Sequence, residues 1–300
     1  MLSREVESIG RFERHTLPDE THIYYEPDPA HAYYNEVKKA PKSKGGYSFV
    51  RDSRFTGVST PTKALDSNID GLLYWAAKLD QTGVADLAGA QIGAGCDVGD
   101  LEWLCSQESI SKALREAELT WAHVRDRAAQ RGTNVHERIF LALATGKRPP
   151  SLSKLSGEER AYGQAAIRWW RDRDPEPLYA EQVTVHRELK VAGRFDLLAE
   201  IDGERVLVDA KTRQRGQDRR SDHAQLPGYE ACNIACGIGA SERRVVLLLL
   251  PDASYREVEC VGDEDDFTAG LEAYRRGGDL EKRMRAGAKA EKEAREPVAA

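Results

Sequence analysis

The stretch from Gly193 to Thr212, GRFDLLAEIDGERVLVDAKT, sets two apolar-rich runs on either side of Asp202-Gly203, and each run carries an aspartate, Asp196 or Asp209. Asp-Gly is a favoured two-residue hairpin turn of type I′. In that register Ile201 faces Glu204 and Asp196 faces Asp209. Strand side chains alternate, so Phe195, Leu197, Ala199, Ile201, Val206, Val208 and Ala210 fall on one face and Asp196, Asp209 and Lys211 on the other. One face is expected to pack and the other to work. Directly opposed carboxylates have Cβ atoms roughly 4.5–5.5 Å apart and destabilise the pair unless positive charge intervenes. Lys211 and a divalent cation would both provide it. Mg²⁺ prefers hard carboxylate oxygens and takes only one or two of them beside substrate phosphate. The competing reading is an exposed hairpin whose charges are merely solvated.

Other residues could share that chemistry. In Gly132-Thr133-Asn134-Val135-His136, the later Phe140 and Leu143 put His136 on the apolar stripe of a helix, either as a satisfied core histidine or as a ligand. Gln225 and Tyr229 lie four apart, on one side of a helical turn. Arg125, Arg127, Arg131 and Arg138 flank His136, while Arg213, Arg215, Arg219 and Arg220 follow Lys211. Charge converging there suits a phosphate backbone, although arginines on helices and loops are usually solvated or paired, here with Glu137, Asp126 or Asp218. Trp169-Trp170 could stack on bases, but adjacent helical residues point apart and a core role is expected.

Read in order, G-T-x-V-H, the acidic Glu181, G-R-F-D, D-A-K-T and Q-L-x-x-Y resemble the RecB-like branch of the PD-(D/E)XK nucleases. The upstream S-T-P-T-K-A-L and Y-W-A-A are similar to the lead-in of phage and bacterial exonucleases of that branch. The resemblance runs from about Phe55 to Cys260. It implies a restriction-endonuclease-like core, a central mixed β-sheet flanked by helices with an N-terminal helical extension. It also implies that His136, Asp196, Asp209 and the Ala210 carbonyl hold Mg²⁺ or Mn²⁺, with Glu181 as extra ligand or organiser. Lys211 would orient or activate the attacking water, and Gln225 and Tyr229 would steer Lys211 or the DNA. Arg127, Arg131, Arg213 and Arg215 are the expected DNA contacts. The implied activity is metal-dependent exonuclease hydrolysis of phosphodiester bonds in phage or bacterial recombination or repair. An endonuclease or flap nuclease on the same core, or a non-catalytic DNA-end-binding module, stays open. The substrate would be linear duplex or single-stranded DNA; a single-strand annealing partner and a homo-oligomer are further implications.

These residues need elements to position them. Leu72, Leu73, Trp75, Ala76 and Leu79 recur at helical spacing, and DLAGAQIGAGCDVGD is read as a Gly-rich loop. Ser106 to Gly146 is helical twice over, with a break at Gly132-Thr133-Asn134. GEERAYGQAAIRWWRDR is a helix closed by Asp174-Pro175, and YAEQVTVHREL alternates as a strand. Pro227-Gly228 suggests that the helix carrying Gln225 begins only near Pro227, leaving Gln225 in a cap or loop. RRVVLLLLP and YREVEC read as further strands. The order helix, strand, strand, strand, helix, strand gives an α/β (α+β) layer fold. We expect an irregular arm over 1–54, one domain over 55–262 and a charged tail over 263–300, dispensable for chemistry.

Composition narrows the classes. Five cysteines in a chain whose start lacks an apolar leader point to reduced thiols and a cytoplasmic protein. Cys232, Cys236 and Cys260 are too scattered for the iron–sulfur pattern of some relatives, and none is expected. The longest apolar run, Val245 to Leu250, is far short of the ~20 residues that span a bilayer. A net charge of −6 repels polyanions overall, so any DNA role needs local basic patches or bound cations.

Overall fold

The computed structural model describes residues 54–66, 69–96, 106–146 and 155–295, the short strands at 13–16 and 22–25, and residues 101, 104 and 152. Cys105 and most of the expected N-terminal arm lie outside the described residues. In chain order the elements are β1 (Glu13–Thr16), β2 (His22–Tyr25), β3 (Arg54–Gly57), α1 (Ser59–Thr62), α2 (Ile69–Gly93), α3 (Gln107–Glu116), α4 (Trp121–Val135), a π turn (His136–Phe140), α5 (Leu141–Ala144), α6 (Gly157–Arg173), β4 (Glu176–His186), β5 (Val191–Ile201), β6 (Glu204–Thr212), α7 (Arg220–Ala235), β7 (Arg243–Leu249), β8 (Tyr255–Glu259) and α8 (Glu264–Arg295). Two compact units result, Ser67–Glu137 and the remainder.

The larger unit is built on a mixed sheet in the order β1-β2-β3-β5-β6-β7-β8, with β4 paired to β5. β3 runs parallel to β5 and β6 parallel to β7, while the other pairs are antiparallel. This is the α+β class expected. The hairpin register is also as expected: Ile201 opposes Glu204, and φ is positive at both turn residues, 57° at Asp202 and 81° at Gly203, as a type I′ turn requires. The arm read as irregular contributes β1 and β2, which pair Glu13 with Tyr25 through Thr16 with His22. Four-residue strands lack the length over which alternation can be recognised, so neighbouring strands rather than pattern define them.

The expectation of one packed and one working hairpin face needs correction, because both faces are buried. On the aspartate side Leu198 and Leu207 are fully buried and join a core with Leu226, Tyr229 and Cys232 of α7. On the other side Leu197, Val206 and Val208 are equally buried. Trp169 of α6 is also fully enclosed, stacked on Phe140 at 5.8 Å, and its Nε1 donates to Glu257 Oε1 at 2.6 Å. Each such aliphatic side chain contributes about 1.5–3 kcal/mol of burial. A sheet covered on both sides can expose functional groups only where its strands end.

α6 begins with a capping box at Ser156 and Glu159 and ends at Asp174, which takes a left-handed conformation with φ 42°. α7 departs from expectation. It begins at Arg220 with Pro227 in its interior, so Gln225 is helical and buried. Pro227 cannot donate to the His223 carbonyl one turn back, and the Cys260 thiol donates to that oxygen instead, at 3.1 Å. Gly228 permits a close approach, since a Cβ there would lie 2.6 Å from the Phe267 ring. The region read as a tail thus joins the core, with Phe267 and Leu271 of α8 fully buried.

The smaller unit is helical. Ser106 and Thr120 cap α3 and α4, and the Trp121 amide donates to Asp80 Oδ1 at 3.0 Å, tying α4 to α2. α2 continues through the sequence read as a Gly-rich loop; Gly89 and Gly93 are helical with open space around them, so the loop reading fails before Ala94. α4 likewise crosses Gly132-Thr133-Asn134 unbroken, with Asn134 accepting from Gln130 Nε2 at 3.2 Å along the helix instead of capping a new one. A helical glycine costs only about 1 kcal/mol, which a long helix absorbs.

Candidate active site

The site forms where β5 and β6 part. Their ladder closes at Leu197 with Val208 and does not extend to Asp196 and Asp209. At its other end, β5 pairs instead with β3, Val191 to Thr56 and Ala192 to Gly57. The separation leaves the Ala210 amide without a ladder acceptor, and the Asp196 carboxylate takes it, Oδ2 accepting at 2.7 Å. Asp196 and Asp209 therefore emerge as neighbours from a splayed hairpin rather than as a ladder pair.

Asp209 is almost fully buried, and Lys211 Nζ lies 2.7 Å from its Oδ2. Gln225 joins them. Its Nε2 donates to Asp209 Oδ1 at 3.2 Å and to the Tyr229 hydroxyl at 2.7 Å, while its Oε1 accepts from Lys211 Nζ at 3.4 Å. The helical spacing of Gln225 and Tyr229 thus delivers both to the strand aspartate. Gly193 makes room for this arrangement: a Cβ there would sit 2.4 Å from the Tyr229 ring.

Burial pushes the Asp209 carboxyl up to about 6, with Lys211 opposing and Asp196 reinforcing the rise. For Lys211, burial pulls the ammonium down, but Asp209, Asp196 and Asp222 outweigh it and the net direction is up. Both shifts describe a carboxylate-rich site in want of positive charge.

Glu181 approaches from β4. Its side chain is 6 % exposed, and Arg194 Nε lies 2.9 Å from its Oε2. A carboxylate oxygen of Glu181 and one of Asp196 lie within 4.8 Å of one another. Oxygens around a Mg²⁺ ion, each about 2.0–2.1 Å from it, stand at most ~4.2 Å apart, a spacing comparable to that bound. The carboxylate oxygens of Asp196 and Glu181 are hard donors of the kind such an ion takes. Glu181 also has φ 50° within a strand, a left-handed conformation that costs a non-glycine residue about 1–3 kcal/mol and collects at functional sites.

The structure therefore brings together Asp196, Asp209, Ala210, Lys211, Glu181, Gln225 and Tyr229. His136, Arg127 and Arg131 belong to the smaller unit. There His136 caps α4 and opens a π turn, a helix irregularity frequent at functional sites. Of the loop arginines, Arg215 is exposed, whereas Arg213 NH2 lies 2.6 Å from both carboxylate oxygens of the buried Asp222. Arg213 is thus part of the scaffold below Lys211, paired with a residue nine positions on in the first turn of α7, which the run of arginines conceals. Arg194 stands within G-R-F-D two residues before Asp196, and that spacing is its signal in the sequence. Burial pushes the Cys232, Cys236 and Cys260 thiols up, and Cys236 and Cys260 hydrogen-bond backbone groups of Val185 and His223.

Residues 101–235 match the model of the PD-(D/E)XK nuclease superfamily, a span that holds Glu181, both aspartates, Lys211, Gln225 and Tyr229. This segment is similar to the PD-(D/E)XK nucleases. The superfamily expected from the motifs is the one matched, and nucleases of that superfamily generally use a divalent metal. Among solved structures, similarity is found to an alkaline exonuclease from Laribacter hongkongensis, at 13% identity and a TM-score of 0.32, covering 53% of this chain and 86% of that one. The same exonuclease in complex with dAMP gives 15% identity and a TM-score of 0.29 over the same shares. Values this low add nothing to the site's reading. No curated protein matches the chain. Among the described residues no helix is long and apolar enough to cross a membrane.

Proposed function

We propose that this protein is a Mg²⁺- or Mn²⁺-dependent deoxyribonuclease that works as an exonuclease in phage or bacterial DNA recombination or repair. The observation that carries the reading is the meeting of Asp196, Asp209 and Lys211 at the opened end of the β5–β6 hairpin, with Gln225 bonded to both Asp209 and Lys211. Asp196, Asp209 and Glu181 would hold the ion, with the Ala210 carbonyl and His136 completing the set. The bound ion supplies a nucleophile formed near neutral pH and neutralises charge at phosphorus.

The chain's own groups do the rest. Lys211, an ammonium at neutral pH, orients the attacking water by donating to it, and Gln225 holds the lysine ammonium and the Asp209 carboxylate in register. Tyr229 fixes the Gln225 amide. Arg215, Arg127 and Arg131 would meet the DNA backbone, with Arg213 stiffening the loop that carries Arg215. The nuclease domain is assigned to residues 55–262, flanked by the arm over 1–54 and the tail over 263–300, whose first turns complete the core.

End-labelled linear duplex and closed circular DNA, incubated with the 300-residue protein in Mg²⁺, Mn²⁺ or EDTA, test the reading. Mononucleotides released from linear DNA alone, and only with metal, are expected. Cutting of the closed circle would replace the exonuclease with an endonuclease. DNA left intact with every metal would overturn the nuclease altogether.

A further inference from the structure

Arg194 is the charged residue of the site's surroundings that the proposed chemistry leaves without a task. It stands on β5 two residues before Asp196, and strand alternation sends both side chains to the same face. Opposite it on β4 is Val183, and Glu181 is the diagonal neighbour. The Glu181 carboxylate pairs with Arg194 at Nε, 2.9 Å from its Oε2. The side chain retains 26 % exposure, and neither terminal guanidinium nitrogen bonds another described residue. A guanidinium held at its root, with its two-pronged end turned to solvent beside three carboxylates, is a rigid fork of the shape that fits two phosphate oxygens.

Charge supports the same conclusion. Asp196, Asp209 and Glu181 outnumber Lys211, so a phosphodiester approaching this end of the sheet meets negative charge on most sides. The cation offsets part of it. A fixed cationic fork on the same face offsets more and sets the phosphate's orientation, and the left-handed backbone at Glu181 aims the carboxylate that anchors it.

We propose that Arg194 binds a phosphate of the DNA strand next to the metal site, through its terminal nitrogens, while Glu181 holds its Nε. This rests on the nuclease reading. It predicts that Arg194→Ala weakens binding of a short DNA duplex in Ca²⁺, measured without cleavage, by roughly 10- to 100-fold, the loss expected for charge-assisted bonds to one phosphate. The slope of log K against log salt should fall by about one phosphate contact. Arg194→Lys keeps the charge and the strand but lacks the fork, and should recover only part of the affinity; it serves also if the alanine variant folds poorly.

The alternative is that Arg194 does no more than neutralise Glu181. Glu181→Gln/Arg194→Ala separates the two, because it removes the charge that would need neutralising. Glu181 also stands among the residues proposed to hold the ion, so Glu181→Gln alone is the reference for the double variant. If the double variant binds DNA as Glu181→Gln does, with the same salt slope, or if Arg194→Ala binds DNA as the wild type does, the proposal is overturned. Weaker binding and a shallower salt slope in the double variant than in Glu181→Gln uphold it. A wild type that neither binds nor cuts DNA would remove the nuclease reading itself, an outcome distinct from both.

Discussion

Acidification should weaken divalent-cation binding through one group, the Asp209 carboxyl. Its ordinary value is 3.8, and burial in the absence of metal pushes it up to about 6. An acid with a raised folded-state value retains a proton that the unfolded chain has already released. The stability this contributes is present below about pH 4 and is lost as pH rises through 6. Each unit corresponds to 1.36 kcal/mol, so above pH 6 the metal-free protein bears a cost on the order of 3 kcal/mol at this residue. A cation needs the ionised carboxylate and relieves that cost. Below pH 6 one proton must leave for each ion bound, so apparent affinity should fall about tenfold per unit between pH 6 and pH 5 and level off above pH 7. Thermal unfolding of the full chain, titrated with Mg²⁺ without DNA at pH 5, 6, 7 and 8, reads this directly. A Mg²⁺-induced rise in Tm that is independent of pH across that window, or one that keeps its full pH dependence in Asp209→Asn, would refute the reasoning.

Gly193→Ala should destabilise the fold by about 1–3 kcal/mol, because the added methyl meets the Tyr229 ring at 2.4 Å; an unchanged urea midpoint would show that the ring moves aside freely. Gln225→Ala removes bonds to Asp209, Lys211 and Tyr229, and should lower kcat roughly 10-fold at little change in KM for DNA, the worth of one or two net hydrogen bonds. A rise in KM alone would make Gln225 a DNA contact instead. Cys260→Val strips the donor from the His223 carbonyl and should cost about 1–3 kcal/mol, while Cys260→Ser retains a donor and should cost less. Equal Tm values for the two variants would remove the thiol's capping role.

The sequence displays this site well where its causes are local. Asp202-Gly203 sets the hairpin register unaided, since both residues tolerate positive φ, and that register places Asp196, Asp209 and Lys211 on one face. Gln225 and Tyr229 are legible as a helical pair. What the sequence hides comes from contacts between distant segments. Pro227 reads as a helix start, and only Cys260, thirty-three residues on, makes its interior position tolerable. Arg213 reads as a free cation until Asp222 is seen to hold it. The aspartates read as a ladder pair, but β3 captures the other end of β5, β6 parts from it at Asp196, and the Ala210 amide claims the carboxylate. Glycines at 89, 93 and 132 read as breaks, yet a glycine inside a long helix costs too little to end it.

The most direct test of the central claim is the loss of linear DNA in Mg²⁺ by the wild type, Asp196→Ala and Lys211→Ala, each first checked for its thermal transition. Metal-dependent degradation by the wild type, abolished in both folded variants, is the predicted result. Degradation that survives either substitution, or wild-type protein that binds DNA without ever cutting it, would contradict the placing of the active site at the opened hairpin.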